Sequence, residues 1–170
     1  TVVNRYMSEL RDVCIQKDRA RFRRNLERIG EVMAYEISKT LDYSTKDIQT
    51  PLGTASTQLY NDPIVLGTIF RAGLPFHQGF LNATPDLNGK TLIIADPMLA
   101  TGGSMELGLK AFETKGIPGK VHLCSAIASR KGVDYLTETF KDTDYTLWCG
   151  AIDPELNDHM YIVPGLGDAG

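Results

Sequence analysis

The stretch that most constrains this chain is Thr91 to Ser104, TLIIADPMLATGGS, where an apolar run stops at a carboxylate and then opens into Thr-Gly-Gly-Ser. Thr91 to Ala95 reads as a buried parallel strand with Asp96 at its carboxyl end, which is where open α/β sheets place their ligand chemistry. Thr101, Gly102, Gly103 and Ser104 precede a helical run from Met105 to Lys115, so their backbone N–H groups can converge on an anion at a helix N-terminus. No Lys follows the glycines, and they fit neither the P-loop nor the G-x-G-x-x-G spacing, which disfavours a nucleoside triphosphate or a dinucleotide. An acid one loop away from a monophosphate cradle suits a ribose phosphate, with Asp96 accepting from vicinal hydroxyls while loop amides hold the 5′-phosphate. Two local readings stand beside this one. Asp96 could cap the turn that follows it, and Thr101 to Ser104 could be a helix cap with a flexible entry, although two adjacent glycines exceed what a cap needs.

The rest of the chain supplies a frame for such a strand. Thr1 to Tyr43 is charged and helical in character, with Phe22, Leu26, Ile29, Met33 and Ile37 forming one apolar stripe on a helix of about six turns. Arg19, Arg21, Arg23, Arg24 and Arg28 share that helix with Glu27, Glu31 and Glu36, so the charges read as a mixed solvated face in preference to a nucleic-acid surface. After Pro51 and Gly53 the signals alternate: Ile64 to Phe70, Thr91 to Ala95, Val121 to Ala128, Tyr145 to Ile152 and Tyr161 to Val163 read as strands, and Met105 to Lys115 and Gly132 to Phe140 as helices. The pattern predicts an α/β fold, a single domain over 1–170 with a mostly parallel, twisted, doubly wound sheet flanked by helices and an N-terminal helical segment over 1–43.

With 170 residues, 42% of them hydrophobic, one domain with a proper core is expected. A net charge of −3 argues against a surface built to hold nucleic acid, so a polyanionic ligand must be met locally. Cys14, Cys124 and Cys149 are too few and too scattered for a zinc site, and their odd number points to reduced thiols and the cytoplasm. No apolar run approaches the roughly 20 residues needed to cross a bilayer. His77, His122 and His159 lack ligand spacing and read as core or surface residues, while Trp148 and Cys149 read as packing residues of a strand.

Asp96 to Ser104 resembles the ribose-phosphate loop of the phosphoribosyltransferases, and in its wording that of the uracil phosphoribosyltransferases. Ile69-Phe70-Arg71-Ala72-Gly73-Leu74 is similar to the same family's pyrophosphate-binding loop, and Tyr161 to Gly170, YIVPGLGDAG, resembles its uracil-binding segment. The likeness runs from about Lys17 to the last residue, with three motifs in the family's order.

The resemblance implies the single-domain phosphoribosyltransferase fold and displacement of pyrophosphate from 5-phosphoribosyl 1-diphosphate by a nitrogen of uracil. It implies catalytic roles for Arg71, Asp96 and Asp168. Arg71, Ala72, Gly73, Asp96, Pro97, Met98, Leu99, Ala100, Thr101, Gly102, Gly103, Ser104 and Asp168 would bind the phosphoribosyl diphosphate, and Ile162, Gly167, Asp168 and Ala169 the uracil. Mg²⁺ is the implied partner of the diphosphate, and a homodimer or larger homo-oligomer the implied assembly; no membrane or nucleic-acid partner is expected. Read without the family, Arg71 could be a surface residue paired with an acid, and the C-terminal segment a loose tail. Met160 stands where the family often has Gly before the base-binding segment. One region departs further: only 19 residues separate Arg71 from Thr91, where the family carries a long hairpin with an Arg that binds pyrophosphate. Phe80 to Pro85 contains no Arg, so either a loop is missing near Asn82 and Ala83 or the hairpin is truly deleted. Competing functions are a nucleotide-binding regulator on this fold with little or no transferase activity, and a transferase for another base or a piece of a kinase fusion.

Overall fold

In a computed structural model, residues 1–61, 63–69 and 86–167 are described. The charged N-terminal third forms two helices, α1 (Val2–Arg11) and α2 (Arg19–Ser38). Between them Asp12 accepts the N–H groups of Cys14 and Ile15 at 2.8 and 3.1 Å, a side-chain turn that competes with continued helix. Asp18 then caps α2 by accepting the Arg21 N–H at 3.0 Å. The apolar stripe of α2 turns inward as its spacing predicts: Ile29 and Ile37 are buried, and Phe22, Leu26 and Met33 pack against the cluster that holds Ile29.

Tyr43, expected at the end of the helical segment, opens a hairpin, β1 (Tyr43–Thr50) and β2 (Gly53–Tyr60), that the sequence reading missed. Its strands are rich in Ser, Thr and Gln and mostly exposed, so no alternation of apolar residues announces them. Thr50-Pro51-Leu52-Gly53 is the available signal, with Pro preset for the second turn position and Gly at the fourth.

The central sheet comprises β3 (Ile64–Thr68), β4 (Thr91–Ala95), β5 (Met98–Leu99), β6 (Lys120–Ser129) and β7 (Tyr145–Asp153). All its pairings are parallel: β3 lies beside β4, β6 receives β4 and then β5 along one edge, and β7 lies along the other. Helices α3 (Gly103–Glu113) and α4 (Arg130–Thr139) begin two residues earlier than their apolar periodicity suggested. Their Met105, Leu109, Phe112 and Leu136 bury one face, Leu92, Ile94 and Leu123. On the other face Met7, Leu10 and Ile29 of α1 and α2 meet Ala126 and Ile127. The sheet is therefore covered by helices on both sides, as expected of a doubly wound fold. Leu10, Leu92, Leu123 and Leu136 are fully buried, each contributing about 1.5–3 kcal/mol, which outweighs exposed ion pairs such as Arg24–Glu27 at up to about 1 kcal/mol.

The segment expected as a strand over Tyr161 to Val163 does not join this sheet. It forms β9 (Ile162–Val163), paired antiparallel with β8 (Glu155–Leu156) in a small ribbon of its own. Phe70, the expected end of β3, lies outside the described residues, as do His77 and the Asn82–Ala83 junction. None of the described helices is long and apolar enough to cross a membrane.

Candidate active site

Asp96 leaves the sheet where β4 ends, its N–H donating to the Cys124 carbonyl at 3.0 Å. Its carboxylate oxygen Oδ1 accepts the Met98 N–H at 3.2 Å, so the turn-capping role is realised and at the same time holds the half-buried acid at the strand end. The loop then drops back onto β6. Ile127 N–H donates to the Pro97 carbonyl at 3.1 Å, and Leu99 N–H donates to Ser125 Oγ at 3.0 Å. That buried hydroxyl donates in turn to the Ile127 carbonyl at 2.8 Å. Ser129, four residues further along β6, acts likewise: it caps α4 by accepting the Gly132 N–H at 2.8 Å and donates its hydroxyl to the Ala100 carbonyl.

Gly102 ends the loop at φ +90°, in the left-handed region, as the N-cap of α3. Among the described residues no side chain caps that helix, and Thr101 and Ser104 are exposed. The first-turn N–H groups of α3 lie at the positive end of the helix, a geometry suited to an oxyanion. Glu106, in the same first turn, would oppose an anion, but Lys110 Nζ lies 2.6 Å from Oε1 and the Tyr135 hydroxyl donates to Oε2 at 2.6 Å. These contacts hold the Glu106 carboxyl below its usual range and push the Tyr135 phenol up. Gly132 is a site residue that sequence reading missed: a Cβ there would stand 2.5 Å from the Ala100 carbonyl, so only glycine lets α4 approach the loop this closely. In sequence it stands only at the expected start of the helix over Gly132 to Phe140.

The cradle residues play unequal parts. Leu99 is buried in the core and Met98 and Ala100 pack beside the opposite cluster, so these three serve the loop through backbone atoms. Ile162 likewise is buried, and shares its cluster with Leu166, Met98 and Ala100, which joins the C-terminal segment to the 96–104 loop. Gly167 is exposed at φ +83°. Met160 adopts φ +62°, the conformation that glycine accepts most easily, in a turn where Asn157 Oδ1 receives the N–H groups of His159 and Tyr161. Arg71, Ala72, Gly73, Asp168 and Ala169 lie outside the described residues. Ile69, two residues before Arg71, donates its N–H to the Ala95 carbonyl at 3.0 Å, so the strand leading to Arg71 ends beside Asp96.

A cavity of about 440 Å³ between α2 and the sheet reaches Asp96 and Pro97, with Ile29, Met33, Leu66 and Ile93 in its wall. Among the described residues its lining contains no cationic side chain. Among the described residues no three His, Cys, Asp or Glu side chains come together as a metal cluster. His122 is a core residue, its Nδ1 accepting the Trp148 indole N–H at 3.2 Å, while His159 is exposed.

A profile of the uracil phosphoribosyltransferase family matches the chain in two stretches, residues 1–91 and 82–170. The chain belongs to the uracil phosphoribosyltransferase family. Its similarity to the uracil phosphoribosyltransferase of Porphyromonas gingivalis is 49% identity over 199 residues, covering 100% of this chain and 92% of that protein. The aligned span exceeds the 170 residues here, so that relative carries residues without a counterpart in this chain. The uracil phosphoribosyltransferase of Methanothermobacter thermautotrophicus is 40% identical over 186 residues, covering 92% of this chain and 85% of that one. A solved structure of a protein from Aquifex aeolicus superposes with a TM-score of 0.81 at 30% identity, covering 99% of this chain and 92% of that chain. The fold expected of a uracil phosphoribosyltransferase is the one observed.

Proposed function

We propose that this chain makes UMP and diphosphate from uracil and 5-phosphoribosyl 1-diphosphate, in pyrimidine salvage, with the 96–104 loop as its ribose-phosphate site. The observation that carries this assignment is the N-terminus of α3, which no described side chain caps, behind a loop that Ser125 and Ser129 hold at Leu99 and Ala100 and that the half-buried carboxylate of Asp96 opens. Amides of Thr101 to Ser104 would bind the 5′-phosphate and Asp96 the ribose hydroxyls. Arg71, with the backbone of Ala72 and Gly73, would hold the diphosphate. Ile162, Gly167, Asp168 and Ala169 would present the donors and acceptors that read the uracil edge, with Asp168 also near the ribose phosphate.

The reaction breaks the bond from C1 of ribose to the diphosphate oxygen and forms one to the pyrimidine nitrogen, which loses its proton. Positive charge builds on the sugar and negative charge on the leaving group, so catalysis comes from positioning and charge compensation, with no covalent nucleophile required. Asp96 offers hard carboxylate oxygens beside the loop, the donor class that Mg²⁺ takes, and Mg²⁺ bound chiefly through substrate phosphates would supply neutralisation of the diphosphate. Cys14, Cys124 and Cys149 are free, which supports a cytoplasmic setting. A homo-oligomer is supported by the β1–β2 hairpin, whose tip residue Leu52 is 100% exposed. The two family matches meet at 82–91, which supports a chain shortened there relative to its relatives.

The test is UMP formation from uracil, 5-phosphoribosyl 1-diphosphate and Mg²⁺, with cytosine, hypoxanthine and orotate as controls. Turnover confined to uracil is expected. Nucleotide binding without turnover on any base would overturn the enzyme reading in favour of a regulator, the outcome that a true deletion near Asn82 would produce.

A further inference from the structure

We infer that Arg11 and Asp153 form a clamp that positions the base-binding segment, so that helix α1 sets the enzyme's affinity for uracil. Asp153 is the last residue of β7 and is 5% exposed; Arg11 is the last residue of α1. Arg11 Nη2 meets Asp153 Oδ1 at 2.6 Å, across 142 positions of sequence, while Asp153 Oδ2 accepts the Gly165 N–H at 2.8 Å. The carboxylate is thus oriented by a cation on one oxygen and spends the other on the backbone of the segment. Gly165 has φ +60°, and a Cβ there would stand 2.0 Å from the Ile162 carbonyl, so this amide sits in a tightly folded loop whose direction depends on what it donates to.

The next two residues also meet the N-terminal region. Leu166 is 2% exposed in the same cluster as Met7 and Leu10 of α1. Gly167 lies against Gln16, whose Oε1 would be 3.7 Å from a Cβ at that position and whose Nε2 donates to the Arg11 carbonyl at 3.4 Å. Three consecutive residues of the segment are therefore set by α1 and the turn after it. Asp153 is buried and Arg11 partly so, and an ion pair taken out of water is a poor stabiliser, since desolvation cancels much of its attraction. What it does supply is direction, and here that direction fixes the Gly165 amide. The inference rests on the assignment of residues 162–169 to uracil. Arg11 and Asp153 are positioning residues, acting through Gly165.

The variants Arg11→Met, Arg11→Lys, Asp153→Asn and the Arg11→Met/Asp153→Asn double variant test this in the full chain. Arg11→Met is expected to raise KM for uracil on the order of tenfold while KM for 5-phosphoribosyl 1-diphosphate stays within about twofold, because only the base half of the site is displaced. Arg11→Lys should recover part of the loss, and the double variant should be no worse than the poorer single one, since both remove one shared contact. Equal rises in both KM values, or additive losses in the double variant, would overturn the clamp. Hydrogen exchange gives a readout independent of turnover: Arg11→Met should speed exchange in peptides covering Ile162 to Gly167, and unchanged exchange there overturns the proposal. Wild-type protein inactive towards uracil would sink the functional reading of the site, and the exchange comparison would then decide the clamp by itself.

Discussion

Gly102 shows how narrowly single residues are specified in the 96–104 loop. Its φ of +90° excludes most side chains, and a Cβ would also stand 2.7 Å from the Tyr135 ring. Gly102→Ala is expected to cost about 1–3 kcal/mol and to raise KM for 5-phosphoribosyl 1-diphosphate with little effect on that for uracil, which thermal unfolding and steady-state kinetics would read. His122 illustrates a different constraint. Burial, with a smaller contribution from Lys120, pushes its pKa down, and among the described residues its Nε2 has no hydrogen-bond partner. The folded state therefore resists protonation that the unfolded chain accepts near pH 6.5. Its contribution to stability is complete above that value and is lost as pH falls through it towards the lower folded pKa. The melting temperature should drop between about pH 7 and 5.5, and less steeply in His122→Gln; parallel pH profiles would refute the assignment. Burial likewise raises the Cys124 thiol to about 12 and the Cys149 thiol to about 11, while Cys14 is exposed. Native protein should accordingly react with a thiol reagent at Cys14, and at the other two only on unfolding.

At the scale of elements, the loop between β4 and α3 is held less by its own residues than by two hydroxyls from the β6 strand. Ser129 is the sharper case, because one side chain both caps α4 and holds the Ala100 carbonyl. Ser129→Ala removes the cap and leaves a carbonyl without its donor, so a loss of about 1–3 kcal/mol in denaturant unfolding is expected. A rise in KM for 5-phosphoribosyl 1-diphosphate should accompany it; destabilisation with unaltered kinetics would mean that the loop keeps its shape without α4. The Thr91 to Ser104 strand, loop and helix were legible because every local cue agreed: a continuous apolar run for a strand covered on both faces, an acid at its end, and glycines at a helix start. The serines that brace the loop were not, since nothing in a linear chain marks Ser125 and Ser129 as neighbours of Leu99 and Ala100.

In the whole molecule, the β1–β2 hairpin pairs with no other strand among the described residues and carries Leu52, Ile48 and Tyr60 exposed. A two-stranded ribbon of that kind is marginal in water by itself, which favours its use as a contact between copies. Leu52→Lys should shift the protein towards a smaller species in light scattering without changing its melting in dilute solution, and an unchanged mass would remove the hairpin from the interface. Its strands escaped the sequence reading because they bury nothing within the chain, and the hydrophobic pattern records only what is buried. What the sequence by itself determined is the alternation of strands and helices from Ile64 to Phe140, the family, and the strand, loop and helix start over Thr91 to Ser104, because periodicity, turn residues and motif spacing are local properties of the chain. What only the tertiary structure decided is how distant residues share one site: Ser129 on the Ala100 carbonyl, Gly132 beneath the loop, and Arg11 reaching Asp153 and through it Gly165. Such contacts depend on close approach of segments up to 142 positions apart, and that proximity arises when the two faces of the sheet bury their apolar surfaces.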